Sequence, residues 1–161
     1  MPVLERKAAF DIVQTVRQRR REYERFEAID PPQVILGKFD PDSYVPAKID
    51  TQVTAFEGMS ACPGKVTGKA RVILRADETQ QVLPGEILVA PFTDPGWTPY
   101  FVNAAGIVMD QGGLLSHGSI VAREYGIPAV VNVGPATKII QSGQMLLLDA
   151  DQGTVSILSG L

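Results

Sequence analysis

The alternation of strand-like and helix-like segments between residues 86 and 131 predicts a mixed α/β domain with some parallel sheet. Two more observations frame that domain. Residues 3–27 hold no glycine and carry apolar residues near a helical period, and residues 28–50 hold four prolines. The expected organisation is a connecting helix over 1–27, a Pro-rich linker over 28–53 and a compact α/β domain over 54–161.

Val3, Phe10, Val13 and Val16 space out a thin apolar stripe, which suits a connecting or docking helix better than the centre of a core. Pro31, Pro32, Pro41 and Pro46, with Asp30, Asp40, Asp42 and Asp50, read as extended linker. In the body, Lys69–Leu74 and Glu86–Ala90 read as strands, the second entered through the Pro84-Gly85 turn. Thr93-Asp94-Pro95 starts a helix expected to reach about Ala105. Gly106–Met109 is a short buried strand. A glycine-bearing loop, Asp110–Ser116, then leads to a helix over about 117–126, closed by Gly126 and Pro128. Ala129–Val131 is a strand and Ala136–Ile140 a helical turn. Gln144–Asp149 and Thr154–Ile157 form a closing hairpin.

Composition removes several function classes. The longest apolar runs, Ala104–Met109 and Met145–Leu148, are far shorter than the roughly 20 residues a membrane span needs. The charged start, Glu5-Arg6-Lys7, does not read as a secretory signal. Cys62 and His117 are the only residues of their kinds, so a disulfide or a Cys/His zinc site within the chain is excluded, and a cytoplasmic address is expected. Residues 1–27 hold seven Lys/Arg and five Asp/Glu, a net of +2, whereas residues 28–161 hold eight and thirteen, a net of −5. The body therefore offers no electrostatic footprint for nucleic acid. The cluster Arg17, Arg19, Arg20, Arg21 alternates with Glu22, Glu24 and Glu27 and reads as a solvated helix face.

The segment that can carry chemistry is Gly112-Gly113-Leu114-Leu115-Ser116-His117-Gly118-Ser119. It places His117 at or near a helix N-terminus, where the first backbone N–H groups lack intrahelical partners and the macrodipole presents positive charge. That setting suits a neutral, nucleophilic imidazole and would favour the negative charge of a phosphoryl group added to it. Gly112, Gly113 and Gly118 leave room for close approach, and Ser116 and Ser119 add donors. A hydrolase built from Ser116 or Ser119 with His117 and Asp110 is disfavoured, since there is no Gly-x-Ser-x-Gly elbow.

The run Gly-Gly-x-x-Ser-His-x-Ser-Ile-Val-Ala-Arg, followed by Gly-Ile-Pro-Ala-Val, resembles the phosphohistidine domain of the phosphoenolpyruvate (PEP)-utilising enzymes. That family includes PEP synthase, pyruvate phosphate dikinase, enzyme I of the sugar phosphotransferase system and rifampicin phosphotransferase. The resemblance extends to Ala61–Val72 and Leu88–Pro99 and covers about residues 57–158. It implies a swivelling β/β/α domain in which His117 is phosphorylated at one site and discharged at another. It also implies that Thr93 or, by preference, Thr98 orients the imidazole, with plain helix capping as the alternative. Arg123 matches the pattern but lies nearly two helical turns beyond His117, so a salt-bridging role is as fitting as phosphate contact. Three positions depart from the pattern: Leu115 where Thr is frequent, Gly118 where Ala or Thr occurs, and Asn132 where Gly is frequent.

No P-loop is present, and about 100 residues of body cannot also hold an ATP-grasp fold or a barrel of about 250 residues. The resemblance therefore implies a phosphoryl carrier that binds no cofactor or metal alone and does not turn over by itself. ATP (or PEP) and Mg²⁺ are expected on partner domains, one nucleotide-binding and ATP-grasp-like, one holding the acceptor substrate. The order helix, linker, histidine domain resembles the C-terminal part of rifampicin-phosphotransferase-like proteins. The alternative is a non-catalytic swivelling module with a docking or regulatory role. The linker would serve as the swivel, since 23 flexible residues span about 26 Å.

Overall fold

The computed structural model describes residues 2–27, 29, 31–32, 35–46, 48–76 and 79–158, with side chains from residue 12 onward. The chain divides into two units, the second beginning at Ile49. No helix among the described residues is long and apolar enough to cross a membrane.

The first unit is built on α1 (Pro2–Glu27), the helix its glycine-free, periodic sequence predicts. Ile12, Val13, Val16 and Tyr23 are all exposed, as a thin stripe implies. The described part of the Pro-rich segment is not a free spacer. Arg25 pairs with Asp42 at 3.2 Å, and Phe39 stacks edge-on against Tyr44 at 5.3 Å. Phe26, Ile29, Pro31, Phe39 and Pro41 line one apolar notch. The segment thus turns back on the last turn of α1, because its aromatic and proline side chains find apolar surface there.

In the second unit the strands are β1 (Ala55–Glu57), β2 (Met59–Cys62), β3 (Lys65–Val72), β4 (Ile87–Ala90), β5 (Gly106–Met109), β6 (Ala129–Val131), β7 (Met145–Asp149) and β8 (Thr154–Ile157). The helices are α2 (Thr98–Phe101), preceded by a 3₁₀ turn at Pro95–Trp97, then α3 (His117–Tyr125) and α4 (Ala136–Ile139). The sheet runs β1-β8-β7-β3-β4-β5-β6-β2. Strands β3 to β6 are mutually parallel, as the strand–helix alternation requires, and β2 closes that edge antiparallel to β6. β3 joins the two halves. Lys65–Lys69 pair antiparallel with β7, and Ala70–Val72 pair parallel with β4. This double pairing is why the strand starts four residues before the expected Lys69.

Two apolar layers follow from the alternation of side chains across the parallel strands. Leu88, Ala90, Ile107, Met109 and Val131 face Trp97, Phe101 and Ala122 from the helices. Ile87, Val89, Val108 and Val130 face Leu146, Leu148 and Val155 from the antiparallel strands. The result is a β/β/α stack. The helix expected to reach Ala105 stops at Phe101, because the Ala105 N–H must already donate to the Glu86 carbonyl at 2.8 Å to start β5 beside β4.

Candidate functional site

β4, β5 and β6 end together at one edge of the sheet, and backbone hydrogen bonds bind the loops leaving them. The Gln111 N–H donates to the Pro91 carbonyl at 2.9 Å, and the Gly134 N–H donates to the Asp110 carbonyl at 3.2 Å. Asn132 sustains the turn after β6 at φ 59°, a left-handed conformation that Asn tolerates better than most side chains.

α3 begins at this edge. Ser116 is its extended N-cap, but the hydroxyl makes no capping bond. It lies instead 3.1 Å from the Ser119 hydroxyl, which donates to the Gly113 carbonyl at 2.8 Å. Ser119 is fully buried. It therefore fastens the glycine loop, and the first turn of α3 keeps its N–H groups uncapped by a side chain. Gly112 sits at φ +146°, which L side chains rarely adopt. Gly113 has open space at its Cβ position.

His117 is the first residue of α3 and is half-buried. Its Nε2 is buried and has no hydrogen-bond partner among the described residues. Its ring meets the Phe101 ring edge-on, at 6.4 Å and 72°. A buried, unpaired polar atom is uncommon in a folded protein and calls for a reason. The next residue, Gly118, is buried, and a Cβ there would run into the Thr93 hydroxyl and sit 2.6 Å from Met109 Cε. Only glycine lets the start of α3 approach the ends of β4 and β5 this closely.

The remaining expected site residues fall into distinct places. Thr93 packs on Gly118, and its hydroxyl donates to Met109 Sδ at 3.4 Å. The Thr98 hydroxyl donates to the Pro95 carbonyl at 2.9 Å, within its own first turn. Arg123 donates to the Leu114 carbonyl at 2.7 Å and to the Ala61 carbonyl at 3.2 Å, tying the loop before His117 to β2. Asp110 serves α4. Its carboxylate accepts from the Thr137 N–H at 2.9 Å and from the Thr137 hydroxyl. Burial pushes its carboxyl above the usual range, partly offset by these bonds. Sequence reasoning missed Phe101 and Met109. Met109 was legible as the end of a buried strand feeding the glycine loop. Phe101 was hidden by the overlong helix expected there.

A different region holds a cavity of about 690 Å³, lined by residues such as Thr51, Thr67, Gln141 and Gln144. None of its lining residues is titratable, so it offers binding polarity but no acid, base or nucleophile of histidine's kind.

The family model of the PEP-utilising enzyme mobile domain matches residues 82–153, from before β4 to the β7–β8 turn. These residues are a mobile domain of the PEP-utilising enzyme family. The match contains His117 together with Thr93, Phe101, Met109, Gly118 and Arg123. Over 156 residues the mobile domain and its flanks are 47% identical to the prodigiosin-synthesizing transferase PigC of Serratia marcescens, covering 94% of this chain and 17% of that protein. They are 39% identical over 145 residues to the rifampicin phosphotransferase of Bacillus cereus, covering 89% of this chain and 16% of that protein. The chain thus spans about a sixth of the length of these relatives, which are larger proteins with further domains. The fold is similar to a UPF0107 protein at TM-score 0.51 and 16% identity, covering 65% of this chain and 99% of that one.

Proposed function

We propose that this mobile domain carries a phosphoryl group on His117 between a donor site and an acceptor site on other domains. The observation that supports the reading most is the histidine itself. Nε2 is buried and unpaired at the uncapped start of α3, inside the segment that matches the mobile domain.

The ring first turns away from Phe101 about its side-chain torsions, bringing Nε2 out to the edge. The Nε2 lone pair then attacks the donor phosphorus. An N–P bond forms, and the bond from phosphorus to the donor's leaving oxygen breaks, leaving its electron pair on that oxygen. In the second step an acceptor oxygen attacks the same phosphorus, the N–P pair returns to the imidazole, and the acceptor's proton passes to base or water. The uncapped N–H groups of α3 favour the phosphoryl charge while it is carried. Ser119 and Arg123 hold the loop that aims His117, and Thr93 fixes the spacing to β5.

ATP or PEP, with Mg²⁺, is assigned to the partner domain. Among the described residues no three His, Cys, Asp or Glu side chains gather as metal ligands. The donor domain is read as nucleotide-binding and ATP-grasp-like, and a further domain holds the acceptor. The expected compartment is the cytoplasm. The test is a full-length enzyme containing this chain, incubated with ATP or with PEP and Mg²⁺. Acid-labile phosphate on the wild type and none on His117→Ala is expected. Unlabelled wild type under both donors favours a docking or regulatory module.

A further inference from the structure

The face around His117 is apolar where a phosphate site would ordinarily be charged. Leu115 is 87% exposed, Phe92 54%, Leu114 50% and Ile120 44%. All are attached to the histidine's surroundings. Leu114 and Leu115 belong to the glycine loop, Ile120 lies three residues on along α3, and Phe92 adjoins Thr93, which packs on Gly118. From Gln111 to Ala122 there is no Asp, Glu, Lys or Arg, in a chain that is 20% charged. Such side chains cannot neutralise a phosphoryl group, and left in water they are a standing cost.

We infer that Phe92, Leu114, Leu115 and Ile120 form a docking collar that seats His117 against the phosphoryl-donor domain of the full-length enzyme. This rests on the carrier reading above and adds the contact surface and the domain it seats against. A domain holding a polyphosphate or PEP must supply cations, because Arg123, the cation beside the collar, is spent on the Leu114 and Ala61 carbonyls. Residues 28–161, which include the collar, carry a net −5, so the acidic body and a cationic donor cleft attract one another at long range. At short range the uncharged collar lets the cleft close without burying an unpaired charge. The relatives are about six times as long as the stretch matched here, which leaves room for the partner within the same polypeptide. Closing apolar surface around Nε2 excludes water, which would otherwise take the phosphoryl group in place of the acceptor.

The experiment uses the full-length enzyme and rapid quenching to measure His117 loading from saturating ATP or PEP with Mg²⁺. Leu115→Asp is expected to slow loading at least about tenfold with donor affinity unchanged, and Leu115→Met to stay within about twofold of wild type. Phe92→Ser is expected to slow it in the same direction. Leu83→Asp puts the same charge on an exposed leucine at the opposite edge of β4 and is expected to load normally. The inference is overturned if Leu115→Asp loads at the wild-type rate, if Leu83→Asp slows equally, or if only discharge is slowed, which would make the acceptor domain the seat. Failure of the wild type to load under either donor overturns the carrier reading itself, a separate result.

Discussion

At the amino edge of β4, Glu86 accepts from Arg71 Nε at 2.8 Å, from the second Arg71 nitrogen at 2.7 Å and from the Leu83 N–H at 2.8 Å. The Arg71–Glu86 pair is matched on both sides, and Glu86 is nearly buried. At the carboxyl edge, His117 Nε2 is buried and unmatched among the described residues, and Phe92, Leu114, Leu115 and Ile120, on the loops and helix that carry the site, are exposed. The same parallel strands hold both ends. One end spends its polar groups on stability. The other leaves the His117 nitrogen without an internal partner, as the proposed carrier role requires.

Substitutions can break or sharpen that contrast. The largest effect is expected from His117→Ala. In the full-length enzyme it should lower turnover by at least about a thousandfold, since the covalent carrier is lost, while shifting stability by less than about 1 kcal/mol. Steady-state assays beside thermal melts check both halves, and a large loss of stability would show that the histidine belongs to the fold. At the other edge the signs should reverse. Arg71→Ala strands a carboxylate that is largely buried and should cost about 2–3 kcal/mol with loading rate unchanged, measured by denaturant unfolding. The Arg71 guanidinium holds the Glu86 carboxyl below its ordinary value of 4.5. Its contribution is therefore full above pH 4.5 and fades as pH falls through the lower folded value, and the Arg71→Ala profile should be flatter there.

Gly118→Ala couples the two properties. The added methyl meets Thr93 and Met109, so it should cost about 1–2 kcal/mol net of helix propensity and also slow loading by moving His117. A variant as stable and as fast as the wild type would mean that this close approach is not needed. The smallest effect is expected at Asp110. Burial raises its carboxyl above 3.8, so the charged form costs the folded state at neutral pH, and the cost is relieved as pH falls through the raised value toward 3.8. Asp110→Asn keeps an acceptor for the Thr137 N–H and reverses the second bond, its amide N–H donating to the Thr137 hydroxyl. It should change stability at pH 7 by under about 1 kcal/mol, in the stabilising direction, and remove that part of the pH dependence, as read by melts between pH 4 and 8.

The sheet was legible where local signals were strong. Gly126 closes α3 in the left-handed conformation at φ 66°, and the buried strand Gly106–Met109 lies where its apolar run placed it. Two things were not legible. The end of α2 is set by the Ala105–Glu86 bond between distant residues, which no local pattern encodes. The role of Ser119 is set the same way. A serine near a helix start reads as a donor for a ligand, yet full burial turns its hydroxyl onto Gly113. The motif around His117 marked the neighbourhood. Which side chain touches which depended on how β4, β5 and α3 converge, and Thr93 and Thr98 could be told apart only then.

The central claim is that the unmatched nitrogen at the carboxyl edge is the one that reacts. The direct measurement is peptide mapping of the full-length enzyme after brief incubation with Mg²⁺ and ATP or PEP, under alkaline conditions that preserve phosphohistidine. The account predicts one alkali-stable, acid-labile phosphate on the peptide containing His117, attached at Nε2, and its disappearance when acceptor is added. Phosphate on any other residue, or on His117 but unmoved by every acceptor offered, would contradict it.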